Sequence, residues 1–417
     1  MRRVSLLGIL AFANVVTAGL GAPIIGEEGK LSISNLAPLL FIAIAAPCFL
    51  VDVKSVGRNI VGLFLLFNVC ALASFGLFMF RFGWEPNAPV LLFQDVEFIF
   101  VLLLVWYARR NYEEFFAVAK VGVLCSAVIS LAYGIYQFGR KDLVLNIIQF
   151  GMDDKSQAAV LFCCQAYILL RFFDGFIARV FAAGLVAMSF MTLSRLPVMF
   201  LPVLLITLSV RTRYGIVIAV AAVCGVVAAF VAYGDALTTV FKAVDRLDSV
   251  GQVTGDSATS AHLMLIKSAL EMKFTDFTAF FFGTGPGNFS KALTSFPIDI
   301  HELESLDPAL VADARVGRAP MHSTPVSLLL DYNLLIFGLL VFLALRAVRY
   351  LVRTRHFLDL LFFFTLFGAS TFYSLHNKPY FYLSIATVAI ATMGRLRVEE
   401  TARATLPRPL QGPLPTS

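Results

Sequence analysis

A helix needs about 17 to 25 consecutive, largely apolar residues to cross the hydrocarbon of a bilayer, and this chain presents such runs one after another. They fall near residues 4–21, 36–51, 59–80, 90–107, 115–138, 157–173, 176–194, 196–210, 214–234, 322–345, 357–375 and 379–394. Twelve runs predict an all-α, polytopic membrane protein with both termini on one side. The eighth is short and carries Pro197 and Pro202, residues that kink or break helices. Composition agrees: 59% of the residues are hydrophobic and only 14% charged, where a soluble domain carries about 25% charge. The first run follows Arg2 and Arg3 and ends among small residues between Ala18 and Ala22, the outline of a cleavable signal peptide, but its length favours a retained helix.

Orientation follows from the cations. With the N-terminus inside, the short inner segments hold eighteen Lys and Arg and the short outer ones seven, the asymmetry of the positive-inside rule. The net charge of +6 is thus explained by orientation, and nucleic acid is not an expected partner. The resulting plan has nine helices over 1–234, one outer loop over 235–321, three helices over 322–396 and a disordered inner tail over 397–417, rich in proline and without apolar periodicity. All six cysteines (Cys48, Cys70, Cys125, Cys163, Cys164 and Cys224) sit in apolar segments, as small packing residues rather than a disulfide or zinc framework.

The outer loop is acidic on balance, with eleven Asp and Glu against seven Lys and Arg, so it is not a simple phosphate-attracting patch. Asp256 or Ser257 is placed to cap a helix reaching about Met272. In it Leu263, Ile266 and Leu270 form one apolar face and Lys267 and Glu271 an i, i+4 pair, a pattern suited to lying along a membrane surface. Phe280 to Phe282 and then GTGPGNF follow, offering apolar side chains to the interface. The glycines, Gly285 and Gly287 among them, allow close backbone approach to a ligand. They are a weak motif alone, since no nucleotide-binding strand and helix flank them.

Chemistry is expected where this loop enters the tenth run, at Arg315, Arg318 and His322. Charge beside hydrocarbon is costly, about 2.5 to 3.5 kcal/mol at a helix centre, and is therefore a functional candidate by default. A neutral imidazole, with an ordinary pKa of about 6.5, can accept a proton from a sugar hydroxyl. Neighbouring cations keep it neutral and are able to hold a pyrophosphate; taken alone, His322 reads better as a cap on the tenth helix. Ser194-Arg195, at the outer end of the seventh run, presents a planar five-donor fork to a lipid phosphate, or else snorkels to the interface. The outer segment QFGMDDKSQAA offers Asp153, Asp154, Lys155 and Gln157 to sugar or phosphate, or is an ordinary solvated turn. Gln94, Asp95 and Glu97, just inside the fourth run, need partners there, with Arg81 or Arg195 in reach. His301, His356 and His376 lack metal-ligand spacing, so neither a metal nor another cofactor is expected.

Taken together, residues 145–345 resemble the O-antigen ligase family and the related Wzy-type polymerases. MTLSRLPVMFLPVLL (191–205) is similar to that family's Ser-Arg segment, FFFGTGPGNF (280–289) to its Gly-rich loop segment, and MHSTPVSLLLDYNLLIFGLL (321–340) to the stretch opening with its histidine; QFGMDDKSQAAVLF resembles its polar span start more loosely. The resemblance implies a GT-C-like fold in a bacterial inner membrane. It further implies a periplasmic site where Arg195 binds the diphosphate of an undecaprenyl-diphosphate-linked glycan and His322 activates or orients the acceptor hydroxyl of a second glycan or a lipid A core. A chain-length regulator is a further implied partner. The sequence departs from the family at Ser323, where Asn is usual, and at Asp331 and Asn333, which stand for a Glu and a Gly. It departs again at His262, which replaces an expected loop arginine; Arg246, Lys267, Arg315 and Arg318 are the possible substitutes for that second phosphate contact.

A diphosphate is already a good leaving group, so fixed cations and a directed hydroxyl suffice, and a single displacement inverts the anomeric carbon. Two other classes fit the spans: a transporter or flippase, and a non-catalytic assembly subunit. Transporters of two six-span halves divide after the sixth span, whereas this chain places its large loop after the ninth.

Overall fold

Hydrocarbon offers the backbone no hydrogen-bond partner, so an apolar chain satisfies its amides within helices. The computed structural model accordingly is helical almost throughout. It describes residues 5–20, 23–25, 31–52, 58–84, 92, 100–139, 155–192, 194, 196–211, 257–296, 303–305, 307–317, 321–373, 375, 378 and 380–390. In order these form α1 (Leu6–Thr17), an antiparallel pair β1 (Pro23–Ile25) and β2 (Leu31–Ser32), α2 (Ile33–Val51), α3 (Arg58–Phe82), α4 (Phe100–Arg110), α5 (Tyr112–Gly139), α6 (Lys155–Phe172), α7 (Phe176–Met191) and α8 (Leu196–Arg211). The loop region contributes α9 (Ser257–Thr275), α10 (Phe277–Phe282), α11 (Phe289–Ser295) and α12 (Pro308–Arg315). Then come α13 (Thr324–Asp331), α14 (Leu334–Arg353), α15 (Phe357–Phe372) and α16 (Tyr380–Ile390).

Among the described residues, four helices have the length and composition to cross a membrane: Ser34–Val51, Leu65–Phe82, Tyr112–Tyr136 and Leu334–Arg353. The apolar helices α1, α7, α8, α15 and α16 are shorter. The ninth expected run, 214–234, lies outside the described residues, as does most of 90–99. α8 runs unbroken through Pro202, while Pro197 sits in its first turn, where a missing N–H costs nothing.

The bundle is organised around α6. Every residue from Ala158 to Arg171 is buried, because α5, α7, α8 and α15 all pack against this one helix. A helix that meets no lipid can carry polar groups, and α6 does. Gln165 Nε2 donates to Ser126 Oγ of α5 at 2.7 Å, and the Tyr167 ring stacks on Phe362 of α15 with centroids 4.0 Å apart. At the end of α6, Arg171 Nε and Nη2 each donate to a different Asp359 oxygen at 3.0 Å, and Tyr167 OH donates to Oδ1 at 2.7 Å. His356 Nδ1 lies 3.4 Å from Oδ2 of the same carboxylate. α14 is the opposite case: of its twenty residues only Ile336 and Leu351 are buried, and its apolar side chains face outward.

A second core joins the loop helices to the C-terminal part of α3, through Phe78, Leu265, Met272, Phe289, Leu293 and Leu310. Here α9 corrects the expected apolar face. Ala261, Leu265, Ala269 and Met272 are buried, whereas Leu263 is 48% exposed and Ile266 and Leu270 only half-buried. Small residues on the packed face let α9 approach α13 closely, and that contact outweighs the bulk of the leucines. Arg81, at the end of α3, donates to Asp276 Oδ1 at 2.7 Å and to Thr278 Oγ1 at 2.8 Å, so it is engaged by the loop; Gln94, Asp95 and Glu97 lie outside the described residues.

The tenth run also differs from expectation, being two helices rather than one. Tyr332 leaves α13 in an extended conformation, and Asn333 starts α14 by accepting from Ile336 N at 2.8 Å. An asparagine N-cap thus interrupts an apolar stretch that hydropathy reads as continuous.

Candidate functional site

The interrupted backbone at 331–333 needs partners, and the Gly-rich segment supplies them. Thr284 N donates to Leu330 O and Gly285 N to Asp331 O, both at 3.0 Å. Lys273, fully buried on α9, donates through Nζ to Ala279 O and Tyr332 O, each at 2.7 Å. Asp331 in turn accepts from Ser327 Oγ at 2.8 Å and Thr284 Oγ1 at 3.2 Å. Burial pushes the Lys273 ammonium down from 10.5 to about 8, opposed by the Asp331 charge.

Two of the glycines also have a packing reason of their own. Gly283 (φ 82°) and Gly285 (φ 78°) occupy left-handed conformations that favour glycine. A Cβ on Gly283 would meet the carbonyl carbon of Asp331 at 2.6 Å, and one on Gly285 that of Ser74 at 2.8 Å. Ser74 Oγ also donates to Phe282 O. Gly285 therefore closely approaches the α3 backbone; Gly287 shares the positive φ, at 84°.

The candidate site lies beyond the other end of α13, where three segments distant in sequence converge. His322 directly precedes α13, His262 sits in α9, and Tyr373 follows the last residue of α15. The two imidazoles stack with centroids 4.4 Å apart and planes at 15°. The Tyr373 ring meets His262 edge-on, at 5.9 Å and 81°. Thr324 ties the same segments together: its hydroxyl donates to Tyr373 O at 3.1 Å and accepts from Leu375 N at 2.8 Å. Both imidazoles are partly exposed, while Ser323 between them and Thr324 is buried, its Oγ without a partner among the described residues.

Helix alternation brings other expected residues to this end. α7 returns from the Arg171 end, so Ser194 and Leu196 lie at the end where α6 begins with Lys155 and Gln157. α8 then descends along α15, with Met199 Cε 3.2 Å from where a Gly368 Cβ would lie, close to Tyr373. Gln157 Oε1 is buried without a partner among the described residues, whereas Lys267 is exposed on α9. Arg315 is drawn to Glu304 at 2.9 Å, so its charge is offset. Arg195, Arg246, Arg318, Asp153, Asp154, His301 and His376 lie outside the described residues.

Lys273 and Tyr373 do not stand out in the sequence, and Asp331 does so only as the residue in place of a family Glu. For Lys273 and Asp331 a further signal existed, since a charge inside an apolar run or on an apolar helix face needs a partner. Tyr373 offers no such signal; only the return of α15 to the loop gives it a role.

The fold and site define an all-helical protein with helices of membrane-spanning length and a partly exposed imidazole pair at the loop-bearing end of its bundle. No protein-family model matches the sequence, and no curated protein does.

Proposed function

We propose that the protein is a membrane glycosyltransferase that moves a preassembled, polyprenyl-diphosphate-linked glycan to an acceptor hydroxyl, in the manner of O-antigen ligases and Wzy-type polymerases. In this reading twelve helices of GT-C-like arrangement span the bacterial inner membrane, with both termini inside and the loop periplasmic. One observation carries it: His262, the residue at the position of the family's loop arginine, stacks on His322, the residue at the position of its histidine. Two segments that the resemblance picks out, some sixty residues apart, thus share one site.

The acceptor oxygen forms a bond to the anomeric carbon while the bond from that carbon to the diphosphate oxygen breaks. His322 takes the hydroxyl proton, and the polyprenyl diphosphate leaves with the electron pair, its charge met by Arg195. The anomeric centre inverts. The reading is supported by Ser194 and Leu196, neighbours of Arg195 in the chain, which belong to the same end of the bundle as the imidazoles.

The test is complementation of a deletion strain by Arg195→Ala and His322→Ala at matched membrane abundance. Both variants are expected to abolish surface glycan; a normal glycan from either rejects that residue's role. Loss of a polymerase leaves acceptor with a single repeat, whereas loss of a ligase leaves long glycan on the polyprenyl carrier. Unaltered surface glycan in the deletion strain, with defective movement of a small solute, would identify a transporter instead.

A further inference from the structure

A general base works only if its lone pair is aimed, and tolerances of roughly 10 to 20° separate a productive ring from an idle one. His322 precedes the first turn of its helix, so the regular geometry of α13 does not by itself set the ring. A closed circuit of contacts bears on it. His322 stacks on His262, His262 receives the edge of Tyr373, Tyr373 O accepts from Thr324 Oγ1, and Thr324 stands two residues from His322 in the chain. Turning the His322 ring out of its plane breaks the stack, and withdrawing His262 removes the surface against which it rests.

We infer that His262 and Tyr373 are positioning residues for His322, with His262 acting through its ring face rather than its nitrogens. This rests on the proposed role of His322 as base. The geometry excludes a direct proton relay between the rings: imidazole N–H bonds lie in the ring plane, and planes 15° from parallel at 4.4 Å send those bonds side by side rather than toward each other. Stacking is therefore what His262 contributes, and Tyr373 holds it there from the end of α15.

The assay uses the full-length protein in proteoliposomes, with the lipid-linked glycan and the acceptor that accumulate in the deletion strain. His262→Ala is expected to lower kcat roughly tenfold or more, as small misplacements of a reacting group do, with KM for the lipid-linked glycan nearly unchanged. His262→Phe, which keeps a flat ring, is expected to recover most of that loss and to keep the pH dependence of kcat/KM. Tyr373→Ala should lower kcat in the same way, and it is an independent probe should the His262 variants fail to accumulate. Added imidazole should partly rescue His322→Ala, and this rescue should vanish in His262→Ala/His322→Ala, because the free ring then has no face to stack on.

His262→Phe as inactive as His262→Ala overturns the inference, as does a fully active His262→Ala or a rescue indifferent to His262. Full activity of His322→Ala instead overturns the parent reading, so the two failures are distinguished by different variants.

Discussion

Lys273 is the residue whose environment differs most from what its type prefers. It is buried, its ammonium is held by two carbonyls, and burial lowers its pKa from 10.5 to about 8. Below pH 8 the lysine is charged in both folded and unfolded chains, and the penalty on the folded state is complete. Between about 8 and 10.5 the unfolded chain binds more protons, so stability rises with pH through that window. A thermal-unfolding series in detergent from pH 7.5 to 10 should show the wild type gaining on Lys273→Met; parallel curves would show that the lysine is not the group responsible. A neutral amine still donates to both carbonyls, so the two hydrogen bonds survive the loss of charge.

At the scale of elements, the break between α13 and α14 organises the loop side. The carbonyls freed at Leu330, Asp331 and Tyr332 are met by Thr284 N, Gly285 N and Lys273 Nζ, so the break and the Gly-rich segment form one unit. Asn333 sets where α14 begins, and Asn333→Ala is expected to cost about 1 kcal/mol, the usual loss of an N-cap side chain. A denaturant midpoint measured at unchanged slope would read it, and Asn333→Asp should recover most of the loss. Little of this unit was legible beforehand. Hydropathy sees 322–345 as one apolar run, and a capping asparagine within it weighs less than its neighbours; the packing of Gly285 against the α3 backbone at Ser74 was not legible, because that partner lies about two hundred residues away. The helix over 257–275 was legible from its periodicity, but its packed face was not: periodicity ranks faces by apolar bulk, and the packed face of α9 alternates two alanines with Leu265 and Met272.

For the whole molecule, α15 joins two polar sites at opposite ends of the bundle. Its sixteen residues span about 24 Å, from Asp359 beside Arg171 to the turn at Tyr373. Arg171 leaves a buried carboxylate if removed alone. Arg171→Leu is therefore expected to cost about 3 to 5 kcal/mol, and Arg171→Leu/Asp359→Asn distinctly less, since the second change removes the stranded charge. Equal losses of folded protein from the single and double variants, measured as monodisperse yield and melting temperature, would mean that the pair is held for some reason other than mutual neutralisation.

What the sequence by itself determined is the class of molecule: apolar runs of bilayer-crossing length leave a chain no other way to satisfy its backbone, and local capping and periodicity mark most helix ends. It also singled out His322, because a titratable side chain at the border of an apolar run is costly enough to stand out in one dimension, whereas His262 stood out only through the resemblance, at the place of an expected arginine. Only the tertiary structure decided that the two rings stack, that Tyr373 and Thr324 close a circuit around them, and that Lys273 and the glycines serve the backbone. Those partners lie between about fifty and two hundred and ten residues apart in the chain, and contacts of that range follow from how the helices pack, which no local pattern encodes.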